Sequence, residues 1–169
     1  MLANPVGMRR LGPVSISGSS LVVSNPRLQA LHSYWRAACG PHAVAAKEAF
    51  DFKNLRMWLG HIALIEVERD PIQFRFRLYG TYLAELAGAD HTGKFLDQCF
   101  PRASVGPMLD PYYECVDSAS PAAFAERYRL PNGERAIMEQ LLLPCSSDRK
   151  QVDVVVGALY LEAESASGD

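Results

Sequence analysis

The chain has no excess of basic residues and no long apolar run, and each absence excludes a class of protein. Its 169 residues include 17 Lys and Arg against 19 Asp and Glu, a formal charge of -2. Without a basic excess it lacks the phosphate affinity of a dedicated nucleic-acid binder. No stretch approaches the roughly 20 apolar residues of a membrane span, and no signal-peptide pattern precedes the first helix. We therefore expect a cytoplasmic protein that binds neither nucleic acid nor membrane.

Cysteine is sparse and widely spaced. Cys39, Cys99, Cys115 and Cys145 form no Cys-x-x-Cys pair and no Cys/His cluster that would clamp a metal ion. Apolar residues make up 49% of the chain, so a chain of this length buries a core without disulfides. The sequence predicts four free thiols and no metal site.

The motifs of common enzyme classes are missing as well. The sequence contains no Gly-x-Ser-x-Gly, His-Glu-x-x-His, Gly-x-x-x-x-Gly-Lys or Gly-x-Gly-x-x-Gly string. Glu66, Glu126 and Glu139 lie on predicted strands, where cross-strand ion pairing explains them more simply than acid–base chemistry. His91 beside Asp90 reads most simply as a surface turn. We expect no catalytic residues and no enzyme.

What the sequence does contain is one domain between two tails. Residues 1–23 mix Gly, Pro and Ser without periodicity and predict a flexible N-terminal tail. The domain is expected over residues 24–163, with a C-terminal tail at residues 164–169. Its first helix starts at Pro26 behind a Ser or Asn cap and ends at Gly40.

Two strand-like runs follow this helix and predict a hairpin. Residues 62–68 and 73–79 flank an Asp-Pro turn, and pairing about that turn sets Glu66 opposite Arg75. Alternation along the second strand puts Phe74, Phe76 and Leu78 on one face.

The rest of the chain predicts short helices and then three strands. Pro107 and Pro111 argue against one long helix, so the last short helix is expected to start at Pro111, with Asp110 as its cap. The strand-rich residues 122–161 predict a three-stranded antiparallel meander. The result is an α+β fold, with one five-stranded antiparallel sheet and helices on one side.

Three ordered motifs in the sequence resemble those of the PAS domain family. They are Tyr34-Trp35, Arg75-Phe76-Arg77-Leu78-Tyr79-Gly80-Thr81 and Gly88-Ala89-Asp90-His91-Thr92-Gly93. The set is similar to that of a bacterial branch of small, single-domain PAS proteins. That branch often carries Pro-x-Arg before a Phe-Asp pair, whereas residues 45–51 here read Ala-Ala-Lys-Glu-Ala-Phe-Asp. The resemblance implies a PAS-like five-stranded antiparallel sheet with an N-terminal helix and short helices on one face.

The resemblance also implies a pocket, because PAS folds that bind ligands hold them between the sheet and the short helices. The pocket candidates are Phe76, Leu78, Tyr82, Phe95, Tyr113, Tyr128 and Met138. Plain core packing explains such residues more simply. Haem is disfavoured because residues 104–119 contain no histidine, and a flavin adduct is disfavoured because Cys99 lies outside the light-sensor motif. The cofactor, if any, is unknown.

The function implied by the resemblance is that of a stand-alone sensory or adaptor domain in bacterial signalling. It would bind a small ligand or a signalling partner without catalysis. A homodimer is expected, with Leu31 and Trp35 as the seam, while Arg75 and Arg77 are candidates for contact with a partner or an anionic ligand. The alternative is an isomerase or hydratase on a nuclear-transport-factor-like α+β cone, which requires an acid–base pair in a pocket.

Overall fold

One twisted antiparallel sheet organises the chain in the computed structural model, which describes residues 2–3, 5–14, 23–100 and 102–164. The strands are β1 (Arg9–Val14), β2 (Ala45–Ala46), β3 (Ile62–Glu68), β4 (Gln73–Tyr79), β5 (Ala122–Arg129), β6 (Arg135–Ser146) and β7 (Val154–Ala163). The helices are α1 (Pro26–Cys39), α2 (Thr81–Ala87) and α3 (Arg102–Ser118), with short 3-10 turns at Lys47–Phe50, Leu59–His61 and Leu96–Gln98. The strand order is β1-β5-β6-β7-β3-β4, and β2 pairs in parallel with β6.

The α+β class is confirmed, but the predicted count of five strands is wrong, because the described residues form a sheet of seven strands. Strands β3 to β7 are the five predicted ones. The two additions carry weak sequence signals: β2 is only two residues long, and β1 contains Gly12 and Pro13. Backbone pairing with β5, not hydrophobic alternation, holds β1 in the sheet.

Helix α1 forms where its end signals predict it. The Asn25 side chain accepts hydrogen bonds from the backbone N–H groups of Arg27 (2.9 Å) and Leu28 (3.2 Å). At the other end Gly40 has a φ of 56°, a conformation that glycine adopts without strain. The helix buries one apolar stripe, Leu28, Leu31, Trp35 and Cys39.

Helices cover both faces of the sheet, which corrects the expectation of helices on one side only. The short helix α2 and helix α3 lie on one face and enclose a core with Phe76, Tyr112 and Met138. Helix α1 lies on the opposite face, where Trp35 donates its indole N–H to the Pro144 carbonyl at 2.8 Å. We call these the α2 face and the α1 face.

Helix α3 is longer than predicted and contains both prolines. An interior proline costs a helix about 3 kcal/mol. That cost is offset because the helix buries an apolar stripe, and a buried side chain of this size contributes about 1.5–3 kcal/mol. The stripe consists of Met108, Tyr112, Cys115 and Val116.

The β3–β4 hairpin has the predicted pair Glu66 and Arg75 in register, with the Arg75 Nη2 atom 2.7 Å from the Glu66 carboxylate. A bulge then shifts the register between the pairs Leu64–Leu78 and Ile65–Phe76. The free edge of β4 is covered by residues 93–95, since the Phe76 N–H donates to the Lys94 carbonyl at 3.0 Å.

The predicted tails contain structured residues. Leu2 and Ala3 are fully buried and Arg9–Val14 is a strand, so the flexible tail predicted for residues 1–23 is corrected where the structure describes it. Residues 1, 4, 15–22 and 165–169 of the predicted tails lie outside the described residues. Glu164, the last described residue, pairs with Arg127 at 2.8 Å.

Two further findings bear on the sequence predictions. None of the helices that the structure describes is long and apolar enough to cross a membrane. The four cysteines are all free thiols, and three of them are buried.

Candidate functional site

Part of the predicted pocket lining does meet on the α2 face. Phe76, Tyr128 and Met138 are at most 2% exposed and belong to one core cluster. Tyr82 is half-buried at the margin of that cluster, where its ring packs on His61 with centroids 4.1 Å apart. These four side chains pack against neighbours and fill the core.

The other three pocket candidates lie elsewhere. Phe95 is half-buried in the segment that runs along the edge of β4, and Tyr113 is 36% exposed on α3. Leu78 lies on the α1 face, because the bulge in β4 displaces it from the face of Phe76. Its predicted place in the pocket of the α2 face is therefore corrected.

The interior of the α2 face is closely packed with aromatic rings. Phe76 and Tyr79 meet edge to face with ring centroids 4.9 Å apart, and Tyr112 is fully buried beside Phe74. A groove of about 140 Å³ opens at the margin, next to Tyr113 and Leu109. The alternation of β4 does not reveal Tyr79 as a core residue, because it assigns that residue to the solvent face.

His91 is more buried than a surface turn would leave it. The residue is 8% exposed, and its ring lies among those of Tyr79, Phe76 and Phe100. Burial, and secondarily the charge of Lys94, lowers the pKa of His91 below its usual 6.5. The imidazole is therefore neutral near pH 7.

The neighbour of His91 fixes the turn. The Asp90 carboxylate accepts a hydrogen bond from the Thr92 N–H at 2.9 Å, and this bond lowers the pKa of Asp90. The Thr92 hydroxyl in turn accepts the Tyr79 N–H at 3.2 Å. The Gly-x-Asp-x-Thr-Gly motif thus ties its turn to the end of β4.

The glutamates that the sequence assigns to ion pairing have structural partners. Arg10 pairs with Glu126 across the β1–β5 pair, and the Tyr128 hydroxyl donates to the same carboxylate at 2.9 Å. Glu139 instead binds the backbone just before α1, where its carboxylate accepts a hydrogen bond from the Ser24 N–H at 2.7 Å. Among the residues that the structure describes, no three His, Cys, Asp or Glu side chains gather as a metal site.

A second opening lies on the α1 face and was not predicted. A groove of about 300 Å³ separates residues 47–59 from the sheet. Its floor is apolar and includes Leu64, Leu78 and Val154, one residue from each of β3, β4 and β7. Residues 47–59 show no clear periodicity, so the sequence carries little signal for this groove.

Charged side chains surround the groove. Lys47, Glu48 and Asp51 lie on the covering segment, and Glu66 and Arg77 lie on the sheet. The side chain of Arg77 is 60% exposed, and its Nη1 atom is 3.9 Å from the Glu66 carboxylate. The guanidinium therefore has donors directed to solvent at the mouth of the groove.

The four predicted interface residues differ in how accessible they are to another molecule. Leu31 and Trp35 are buried inside the chain on the α1 face, so their predicted role as a dimer seam is corrected. The sequence of α1 does not by itself show what covers these two residues, and in the structure they pack on the sheet. Arg75 is held by Glu66 and Glu68, each at 2.7 Å, which leaves Arg77 as the freer arginine.

Comparison with known proteins gives one result that covers most of the chain. A family model described as PAS domain matches residues 23–160. This range includes α1, the groove and nearly all of strands β2 to β7, and it leaves out β1. No curated protein matches the chain.

Proposed function

The chain belongs to the PAS domain family, and on this premise we propose that it is a sensory or adaptor domain of bacterial signalling. In this function it binds a small ligand or a protein partner and catalyses no reaction. The family match favours this function over the isomerase or hydratase that the sequence left as the alternative. The observation that carries the proposal is the groove on the α1 face.

The groove has the size and lining of a small-molecule site. Ligand pockets are mostly apolar clefts of about 300–1,000 Å³ with a few polar groups that fix orientation. The groove of about 300 Å³ stands at the lower end of this range, with Leu64 and Leu78 on its floor. Arg77 at its mouth supplies donors for a carboxylate, since charge-assisted bonds to guanidinium are among the stronger ones. We propose an apolar ligand with one anionic group.

A partner surface adjoins the groove. Phe52 is 63% exposed and Met57 is 59% exposed on the segment that covers it. Phe and Met are enriched in protein–protein interfaces. We propose that this surface carries the homodimer or signalling contact in place of Leu31 and Trp35, and that the protein acts in the cytoplasm, where its free thiols stay reduced.

Native mass spectrometry of freshly purified protein tests both parts of the proposal. A retained small molecule is expected on the wild type, together with the mass of a dimer. Leu78→Trp fills the groove, so it should lose the ligand. Tyr113→Trp places the same ring on the exposed surface of the α2 face and should retain it. Met57→Ser should shift the dimer to monomer without removing the ligand, because Met57 is exposed and does not line the groove.

A titration with decanoate tests the ligand chemistry directly, because decanoate joins an apolar body to one carboxylate. Binding to the wild type should be saturable, and Leu78→Trp and Arg77→Gln should each weaken it by about tenfold or more. Tyr113→Trp should bind as the wild type does. Equal affinity in all four proteins, or no binding together with no retained molecule, would refute the groove as a ligand site.

A further inference from the structure

The start of the chain occupies the interior of the α2 face. Residues 2–3 and 5–8, which we call the N-terminal segment, precede β1, and Leu2 and Ala3 are fully buried. The Leu2 side chain lies against Gly157 on β7, where an added Cβ atom would come within 2.7 Å of Leu2 Cδ2. Leu2 thus fills space above the sheet that the glycine leaves free.

Two side chains bind the main chain of Leu2. The Gln140 Oε1 atom accepts the Leu2 N–H at 2.6 Å, and the Tyr79 hydroxyl donates to the Leu2 carbonyl at 2.7 Å. Burial raises the pKa of Tyr79 well above its usual 10, so its hydroxyl keeps the proton that it donates. Gln140 is fully buried on β6 and Tyr79 is 5% exposed on β4. Together they recognise the N–H and C=O groups of one amino-acid residue.

The Gln140 amide also has a donor that the N-terminal segment does not use. Its Nε2 atom is buried and has no hydrogen-bond partner among the described residues. Leaving a buried polar group unsatisfied costs about 1–3 kcal/mol, so such groups are rare in folded proteins. A ligand with one further acceptor would satisfy this amide better than Leu2 does.

The described residues of the N-terminal segment lie outside the strand pairs of the sheet. Strand pairing of the chain begins at Arg9, which faces Arg129. Ahead of that point, the Val6 N–H donates to the Leu86 carbonyl at 2.9 Å, and the Val6 side chain is 65% exposed. Departure of the segment would therefore leave all strand pairs of the sheet intact.

We propose that the N-terminal segment occupies a binding site on the α2 face and is displaced from it when a ligand binds. The site takes an N-acylated, amidated aliphatic amino acid, whose N–H, C=O and branched side chain replace those of Leu2. Ligand binding releases the segment from the sheet, while β1 keeps it attached to the protein. The site lies on the opposite face from the groove, so each proposal fails or holds without the other.

Hydrogen–deuterium exchange of the full chain tests whether the segment is displaceable. Leu2→Asp puts a carboxylate into an apolar interior, so the segment should leave and lose protection, while β6 and α1 keep theirs. Val6→Asp changes an exposed residue of the same segment and should preserve protection. Gly157→Ala provides a second way to dislodge Leu2, with the exposed helical Gly106→Ala as its control. Exchange that rises throughout the core in both dislodging variants would overturn the proposal.

Titration with N-acetyl-L-leucinamide tests the chemistry of the site. The full-length Leu2→Asp variant should bind it saturably, whereas the wild type and Val6→Asp should bind about tenfold or more weakly, because their own Leu2 competes. Adding Gln140→Leu to Leu2→Asp should abolish binding, since it removes the amide that recognises the ligand. The site would be refuted if Leu2→Asp did not bind the compound, or if adding Gln140→Leu left the binding unchanged.

Discussion

Replacing Gly80 by alanine probes the tightest backbone contact that the structure describes around a glycine. Gly80 is the second-last residue of the Arg-Phe-Arg-x-x-Gly-Thr motif and directly precedes α2. A Cβ atom there would lie 2.3 Å from the Gly60 carbonyl oxygen and 2.7 Å from the Leu59 carbonyl oxygen. The φ of Gly80 is -62°, which any residue adopts, so the expected effect is steric.

The size of the effect follows from what would have to move. Ordinary contact begins near 3.4 Å, so the turn that carries Gly60 must retreat by about 1 Å. The Gly80 N–H donates to the Ile62 carbonyl at 2.9 Å, which ties the same two segments together. Overpacking costs about 1–3 kcal/mol and a weakened buried hydrogen bond about 1 kcal/mol more. At about 2–4 °C per kcal/mol for this chain length, Tm should fall by roughly 10 °C.

Thermal unfolding followed by circular dichroism measures this change. Gly106→Ala is the matched control, because its added Cβ would meet nothing within 4 Å on an exposed turn of α3. It should raise stability by about 0.5–1 kcal/mol, since alanine is the better helix former. A Tm for Gly80→Ala within about 2 °C of the wild type would refute the steric account of the motif.

Three further substitutions test other parts of the fold. Asn25→Ala removes the N-cap of α1 and should lower the free energy of unfolding by about 1–2 kcal/mol in urea titrations; an unchanged urea midpoint would contradict the cap. Trp35→Phe leaves the Pro144 carbonyl without its donor and should cost about 1–3 kcal/mol, with an oligomeric state by light scattering that stays that of the wild type. Because burial lowers the pKa of His91 in the folded chain, the unfolded chain binds more protons below about pH 6.5, and stability should fall on acidification by up to about 1.4 kcal/mol per pH unit. His91→Phe should reduce that slope in urea midpoints measured from about pH 7.5 to 5.5, and an unchanged slope would contradict this assignment.

Elements with local signals are predictable from this sequence. Helix α1 has its cap, its first-turn proline and its terminal glycine within sixteen residues, and the structure places each as expected. The β3–β4 hairpin follows from the Asp-Pro turn and alternation, which suffice to pair Glu66 with Arg75. In both cases the decisive interactions lie close together in the chain.

Features that depend on distant partners are not predictable in this way. Strand β1 forms because β5 offers its edge, and the prolines of α3 are tolerated because the sheet buries one side of that helix. The bulge in β4 sends Leu78 to the α1 face and Tyr79 to the α2 face, which reverses a simple alternation. The burial of Leu2 against Gly157 joins residues far apart in the sequence, and neither residue has a local pattern that indicates the contact.

The two edges of the sheet affect how readily the protein aggregates at high concentration. An open strand edge is a template on which other copies assemble into aggregates. Among the residues that the structure describes, one margin is shielded by residues 93–95, and the other is β1, which carries the charges of Arg9 and Arg10. Gly12 interrupts the pleat of β1 with a φ of 138°, and Pro13 has no N–H to offer an incoming strand. The fold is thereby protected against edge-to-edge fibril growth.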